Sequence, residues 1–333
     1  MWYVGMDVHS MYTTLCILDE NGKIVKEQEV HGSLGVVVAT VRTIRQPFAI
    51  CYEASCGYGW LHDQLQGLAA KVAVAHPGKV RLIFRTKRKN DRIDARKLAK
   101  LLYLDEVPLV YVPTAERRMW RELIEYRGRL VAKRTRVKNE IRSLLRSRAI
   151  VAPKGLWTAK GLAWLKDLAL EDGAGLRREI MLDEVAEISQ KIHRVEKDLN
   201  RRAAREPAVA VLKTMPGVGP RTSEAVVAYV ADPSRFRRNK SIGCYFGMVP
   251  CEDTSVKARF GHITKEGPPT VRRLVTEATW QGIRRDAGLR AYFERITKGD
   301  KDRRKIALVA TAHHLLLVML AMLRTGECYR AAA

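Results

Sequence analysis

Negative charge is scarce in this chain. Its 333 residues hold 36 Asp and Glu against 60 Lys and Arg, a formal net charge of +24 at pH 7. So large an imbalance is a statement about partners, and nucleic acid is the commonest polyanion to answer it. An anionic membrane surface is the rival, but no apolar run approaches the roughly 18 residues that a transmembrane helix needs. The longest candidate, Ile306 to Leu323, is interrupted by His313 and His314 and reads as a buried helix. A secretory leader is also lacking: Met1-Trp-Tyr-Val-Gly has no basic opening and runs straight into a strand pattern. The six cysteines, at 16, 51, 56, 244, 251 and 328, make no CxxC pair and no zinc spacing with His. They read as reduced, mostly buried thiols of a cytosolic protein. A hydrophobic content of 47% is globular, and the length allows two or three units of roughly 100–200 residues each.

Residues 1–112 alternate strand and helix signals. The segment Thr13 to Leu18, the turn Asp19-Glu-Asn-Gly22 and Lys23 to Val30 predict a β-hairpin, with Asn-Gly supplying positive φ angles. Before it a strand ends at Asp7. After it come a helix at 34–45, a strand ending near Glu53, a helix near 58–69 and a strand at 71–75. A hairpin followed by alternating β and α predicts a mixed sheet with helices packed on it, an order that resembles the ribonuclease-H-like fold.

Residues 113–207 read as helical. Leu123, Leu130, Val137 and Leu144 recur every seventh position in a long helix at 115–147. Val185, Ile188, Ile192, Val195 and Leu199 repeat at 3-4-3-4 spacing, the seam of a coiled coil. The two segments pair either within a chain or between chains, and a plain helical bundle fits as well as a dimerisation arm. The first helix carries Arg127, Lys133, Arg134, Lys138 and Arg142 with few acids among them, a composition that favours phosphate contact over an ordinary solvated face. The stretch from Trp157 to Asp172 is apolar enough to pack and says nothing chemical.

Residues 208–333 open with Met215-Pro-Gly-Val-Gly219, where Gly217 and Gly219 between two helical segments look like a helix-hairpin-helix element able to bring backbone amides to a phosphate. A turn joining two core helices would look similar. Arg235 and Arg237 follow in a strongly basic run, and helices near 270–284 and 304–324 close the chain.

Against this basic background, Asp7 and Glu53 sit at strand ends. Asp91 and Asp94, three apart at a helix start, share one helical face. Taken singly, each has an ordinary explanation: a turn, an exposed strand end, an acid on a helix dipole, an ion pair of Asp94 with Arg92 or Lys97. Taken together they suit Mg²⁺, which accepts a few carboxylates and keeps its waters. Two such ions clamp the attacking and leaving oxygens of a phosphoryl displacement.

Gly5-Met-Asp-Val-His9, Tyr52-Glu-Ala-Ser55 and Lys89-Asn-Asp-Arg-Ile-Asp-Ala-Arg96 resemble the DEDD transposases of the insertion-sequence one-ten family. So do Met215 to Gly219, Gly247-Met-Val-Pro250, Gly261-His-Ile-Thr-Lys-Glu-Gly267 and Arg272-Arg-Leu274. The resemblance spans nearly the whole chain. It implies a RuvC-like catalytic domain at 1–112, a helical coiled-coil and oligomerisation region at 113–207 and a serine-bearing transposase domain at 208–333. It also implies Asp7, Glu53, Asp91 and Asp94 as metal ligands, a homo-oligomer acting on target and donor DNA, and a structured bridge RNA that selects both. The family's nucleophilic serine falls within Glu252-Asp-Thr-Ser-Val-Lys257. Ser255 is the best match, although valine follows where the family has glycine and the segment is one residue short. Thr254 is a fallback and Ser241 a weaker one. Lys257, Arg259, His262 and Lys265 are candidates to meet phosphate charge. The competing functions are a hydrolytic nuclease of the junction-resolvase type and a non-catalytic nucleic-acid-binding protein with decayed acids.

Overall fold

The structure, a computed structural model, describes residues 1–83, 91–253 and 259–331. It divides into two compact units, Met1–Arg118 and Met119–Ala333.

The first unit is built on a five-stranded sheet of order β3-β2-β1-β4-β5. Its strands are β1 (Trp2–Val8), β2 (Tyr12–Leu18), β3 (Ile24–His31), β4 (Phe48–Glu53) and β5 (Lys71–Ala75). The first three are antiparallel neighbours, whereas β4 runs parallel to β1 and β5 parallel to β4. This mixed sheet is compatible with the ribonuclease-H-like arrangement expected from the sequence. The β2–β3 hairpin forms as predicted, but only Gly22 takes a positive φ, +76°. The Asp19 carboxylate accepts from the Asn21 and Lys23 amides and holds the turn in place of a two-residue Asn-Gly turn.

Side-chain alternation gives the sheet two apolar faces. Val4, Met6, Leu15, Ile17, Ile50, Tyr52 and Val74 pack with Val37, Val38 and Val41 of α1 (Leu34–Val41) and with Leu61 and Leu65 of α2 (Tyr58–Leu65). On the other face, Ala49, Cys51, Ala73 and Ala75 meet Val80 of α3 (Pro77–Ile83) and Leu98, Leu101 and Leu102 of α4 (Asp91–Tyr103). Cys16 and Leu18 meet Ala95 and Ala99 of α4. Gly5 lets α4 lie this close, because a β-carbon there would run into the Ala95 carbonyl oxygen and Ala99.

The second unit is mostly helical. Helices α5 (Ala115–Arg146) and α7 (Asp172–Ala203), each of 32 residues, flank the short α6 (Ala159–Asp167). Leu130, Val137, Ile141 and Leu144 of α5 share a core with Val185, Ile188 and Ile192 of α7. Arg127 meets Glu196, Lys133 meets Glu184 and Arg148 meets Glu171, so the two helices run antiparallel within one chain. A larger core gathers α8 (Pro207–Lys213), α9 (Pro220–Val230), α10 (Ser241–Tyr245), α11 (Pro269–Arg285), α12 (Ala287–Thr297) and α13 (Arg304–Thr325). Strands β6 (Pro250–Asp253) and β7 (Arg259–Ile263) pair antiparallel between α10 and α11.

Two expectations change. By length and composition α13 can cross a membrane, with a window of mean hydropathy 2.2, so an apolar run of sufficient length does exist. His313 and His314 do not interrupt it, because Ala312, Leu315, Leu316, Met319 and Leu320 carry its apolar stripe into the core. Among the six free cysteines only Cys16 and Cys51 are buried, while Cys56, Cys244, Cys251 and Cys328 are exposed, so the thiols are mostly outside.

Candidate metal centre and nucleic-acid contacts

In β1 the even positions Val4 and Met6 face α1 and α2, so Gly5 and Asp7 face α4. In β4 the same alternation puts Ala49, Cys51 and therefore Glu53 on the α4 side. The parallel register pairs Met6 with Tyr52, and Asp7 and Glu53 stand one residue further along each strand. Helix α4 lies across this face with Asp91 and Asp94 in its first turn, where the helix dipole favours negative charge. All four predicted acids thus belong to one face of the sheet, toward the C-terminal ends of its inner strands β1 and β4.

The tightest grouping is a triad. Ligand atoms of Asp7, His9 and Asp91 all lie within 4.8 Å of one another. His9 Nε2 stands 3.1 Å from Asp7 Oδ2 and 3.5 Å from Asp91 Oδ1. The Tyr12 hydroxyl donates to Asp91 Oδ2 at 2.7 Å, and this bond holds the phenol above its ordinary pKa. Burial pushes the Asp7 carboxyl above the usual carboxylate range; His9 opposes the shift, and the charges of Asp91 and Asp94 add to it. Asp94 is occupied by Lys97 at 2.8 Å, the ion pair weighed in the sequence reading. Glu53 and Asp94 are outside the triad but on the same face.

His9 is a candidate ligand that the sequence motifs do not single out. The available signal was its spacing from Asp7: two residues apart along a strand direction, both side chains leave the same face. The tight turn closed by His9 N–H to the Tyr12 carbonyl at 3.0 Å then brings Tyr12 back beside them, with the two rings 5.0 Å apart.

These donors fit a divalent cation. Two carboxylates and an imidazole are competent ligands, and their spacing is short enough for one ion. Directly across the β1–β2 ladder from Asp7, Thr14 is 2% exposed, and its hydroxyl oxygen has no hydrogen-bond partner among the described residues. A buried hydroxyl without a partner is uncommon and calls for a polar neighbour, which a hydrated cation provides.

The predicted nucleic-acid contacts are dispersed. Arg127 donates twice to Glu196 and Lys133 pairs with Glu184, so the acids missing from α5 are supplied by α7. Arg134 reaches Ser189 Oγ at 3.4 Å. Lys138 and Arg142 lie over the Trp157 ring, at 4.6 and 5.6 Å from its centroid. Gly217, at φ +86°, is pressed against the backbone of Ala278 and Gly282 in α11, a packing role. Gly219 has open space where a side chain would be and caps α9. Arg235 donates to the Val230 and Tyr229 carbonyls and stacks on Phe236 and Tyr245. Arg237, His262 and Lys265 are exposed. Ser241 opens α10. Arg259 opens β7. Thr254, Ser255 and Lys257 lie outside the described residues.

Two family profiles match the chain. A DEDD-type profile described as Transposase covers residues 4–149. A profile described as Transposase IS116/IS110/IS902 family covers residues 209–294. The chain is 26% identical to the transposase for insertion sequence element IS1111A of Coxiella burnetii, over 99% of this chain and 92% of that protein. It is 26% identical to a probable family 20 transposase of Pseudomonas aeruginosa, over 73% and 74%. It is 26% identical to the putative transposase y4qE of Sinorhizobium fredii, over 84% and 71%.

Proposed function

Because the chain belongs to the IS116/IS110/IS902 family of transposases, we propose that it cuts and rejoins DNA of a mobile element with Mg²⁺ held by its acids and Ser255 as nucleophile. The observation that carries the metal half is the convergence of Asp7, His9 and Asp91 at the C-terminal end of the inner strand β1, with Glu53 and Asp94 on the same face. Bound there, Mg²⁺ supplies positive charge against a phosphodiester oxygen. The protein's own contribution is to hold that charge in register. Gly5 and Ala95 set α4 down on β1, Tyr12 fixes one oxygen of Asp91, and burial keeps Asp7 in place.

The serine half rests on the sequence between β6 and β7. In the proposed step the Ser255 hydroxyl loses its proton and its oxygen bonds to phosphorus. The bond from phosphorus to one deoxyribose oxygen breaks, and that oxygen leaves as a hydroxyl carrying a proton. A second strand's hydroxyl then attacks the same phosphorus, restores a phosphodiester and frees the serine. No oxidant or nucleotide cofactor enters, because each bond broken is replaced by one of the same kind.

Residues 1–112 would serve as the metal-bearing part, 113–207 as a coiled-coil arm between protomers of a homo-oligomer, and 208–333 as the serine part with a helix-hairpin-helix-like contact at Gly219. A bridge RNA would choose target and donor DNA by base pairing, with the protein working on DNA in the cytoplasm. The formal charge of +24 supports a polyanionic partner of either kind.

A Ser255→Ala variant tests the proposal. Covalent protein–DNA adducts, trapped by denaturation during reaction with Mg²⁺, should vanish together with recombination, whereas Asp7→Asn should lose all metal-dependent cutting. Undiminished cutting by Ser255→Ala would instead favour water as nucleophile and a hydrolytic, resolvase-type enzyme. Sequencing the RNA that co-purifies tests the guide: one discrete structured species is expected, and random cellular RNA would overturn it.

A further inference from the structure

His9 stands among the acids without being one of them. Its Nε2 is 3.1 Å from Asp7 Oδ2 and 3.5 Å from Asp91 Oδ1. Neighbouring ligand atoms on an octahedral ion with bonds of about 2.1 Å lie about 3.0 Å apart. The two His9 spacings match that value and slightly exceed it, and all three ligand atoms lie within 4.8 Å of one another, so one ion can take them after the carboxylates adjust. The surroundings favour the same reading. Tyr12 spends its hydroxyl on Asp91 Oδ2, which leaves Oδ1 turned to His9. Thr14, buried across the ladder from Asp7, keeps a hydroxyl oxygen with no partner among the described residues.

We propose that His9 is a direct nitrogen ligand of the cation held by Asp7 and Asp91, and that this nitrogen makes the site bind Mn²⁺ more tightly than the Mg²⁺ it also accepts. The inference rests on the metal-dependent reading above and deepens it. Mg²⁺ is a hard ion that favours oxygen and gives up its waters reluctantly. Imidazole is a better ligand for first-row transition ions, and Mn²⁺ accepts carboxylate and imidazole together. A site made only of carboxylates would leave the choice to abundance; one imidazole in the first coordination layer biases it. Tyr12 acts as a positioning residue, because it touches the ligand Asp91 and not the ion.

The test uses the untagged full-length chain with Mn²⁺ as the probe, read by electron paramagnetic resonance. Mn²⁺ should bind saturably, and Mg²⁺ should displace it only at an excess on the order of tenfold or more. The spin-echo spectrum of bound Mn²⁺ should carry modulation from a directly bonded ¹⁴N nucleus. His9→Ala and His9→Gln, both checked for folding by circular dichroism, should lose that modulation. They should bind Mn²⁺ about tenfold more weakly while Mg²⁺ affinity moves by less than about twofold. Mn²⁺ binding that Asp7→Asn abolishes, but that shows no ¹⁴N modulation sensitive to His9, would sink the nitrogen ligand and leave the metal reading standing. Failure of either ion to bind saturably would sink both.

Discussion

At the scale of single residues, the site depends as much on side chains that are absent as on those that carry charge. Gly5 has no β-carbon, and Ala95 and Ala99 have little beyond one, so α4 can descend onto β1 until Asp91 reaches Asp7 and His9. Gly5→Ala is therefore expected to push α4 away and to pull Asp91 from Asp7 and His9 without altering any of the three. The variant should lose about 2–4 kcal/mol of stability through overpacking and strain, and its Mn²⁺ affinity should fall with it. Chemical denaturation and a metal titration on the same sample check both. That Asp7 and Glu53 fall at strand ends and Asp91 and Asp94 at a helix start is legible in the sequence, because both can be read from hydrophobic periodicity. His9 was written beside Asp7 all along, but its part depends on Asp91, which arrives from 82 residues further along the chain. Only the packing of α4 reveals it.

At the scale of elements, long periodic segments were predictable and short capped ones were not. The heptad-like spacings of α5 and α7 gave both helices, but not their choice of partner. Arg127–Glu196 and Lys133–Glu184 join the two helices within the chain and occupy cations that the sequence alone offers to phosphate. Helix α12 escaped notice because it follows α11 after a single residue. Asp286 serves as its N-cap, accepting from the Leu289 amide at 2.7 Å. Helix α9 carries an ionisable residue in its buried interior: Glu224 is 1% exposed and 3.1 Å from Arg221. Burial raises its carboxyl pKa to about 7, against the pull of Arg221 and Arg127 and with a push from Glu196. A carboxyl with a raised folded-state pKa binds its proton more tightly when folded. Its stabilising effect is thus complete below the unfolded value, near 4.5, and is lost as pH rises through about 7. Glu224→Gln should flatten that dependence and be more stable than the parent at pH 8 by about 1–3 kcal/mol, with the gap closing toward pH 5. Thermal melts at pH 5 and pH 8 would show equal gaps if the residue were ionised throughout.

At the scale of the whole molecule, charge and hydropathy pull the sequence reading in different directions. The net +24 implies a polyanion, and binding dominated by six or more phosphate contacts would weaken about 10³-fold or more between 50 and 200 mM salt. A titration of duplex DNA at several salt concentrations measures this. A shallow slope would mean that most of the cations are spent internally, as Arg235 and Arg127 are. Apolar α13 points toward a membrane by composition, yet its stripe of Ala312, Leu315, Leu316, Met319 and Leu320 is committed to a core. One dimension of the molecule has a meaning of its own. A 32-residue helix is about 48 Å long, and α5 and α7 lie side by side at that length. At 3.4 Å per base pair it matches about fourteen pairs of duplex. A duplex laid along the helix pair would therefore run more than one full helical turn between its two ends.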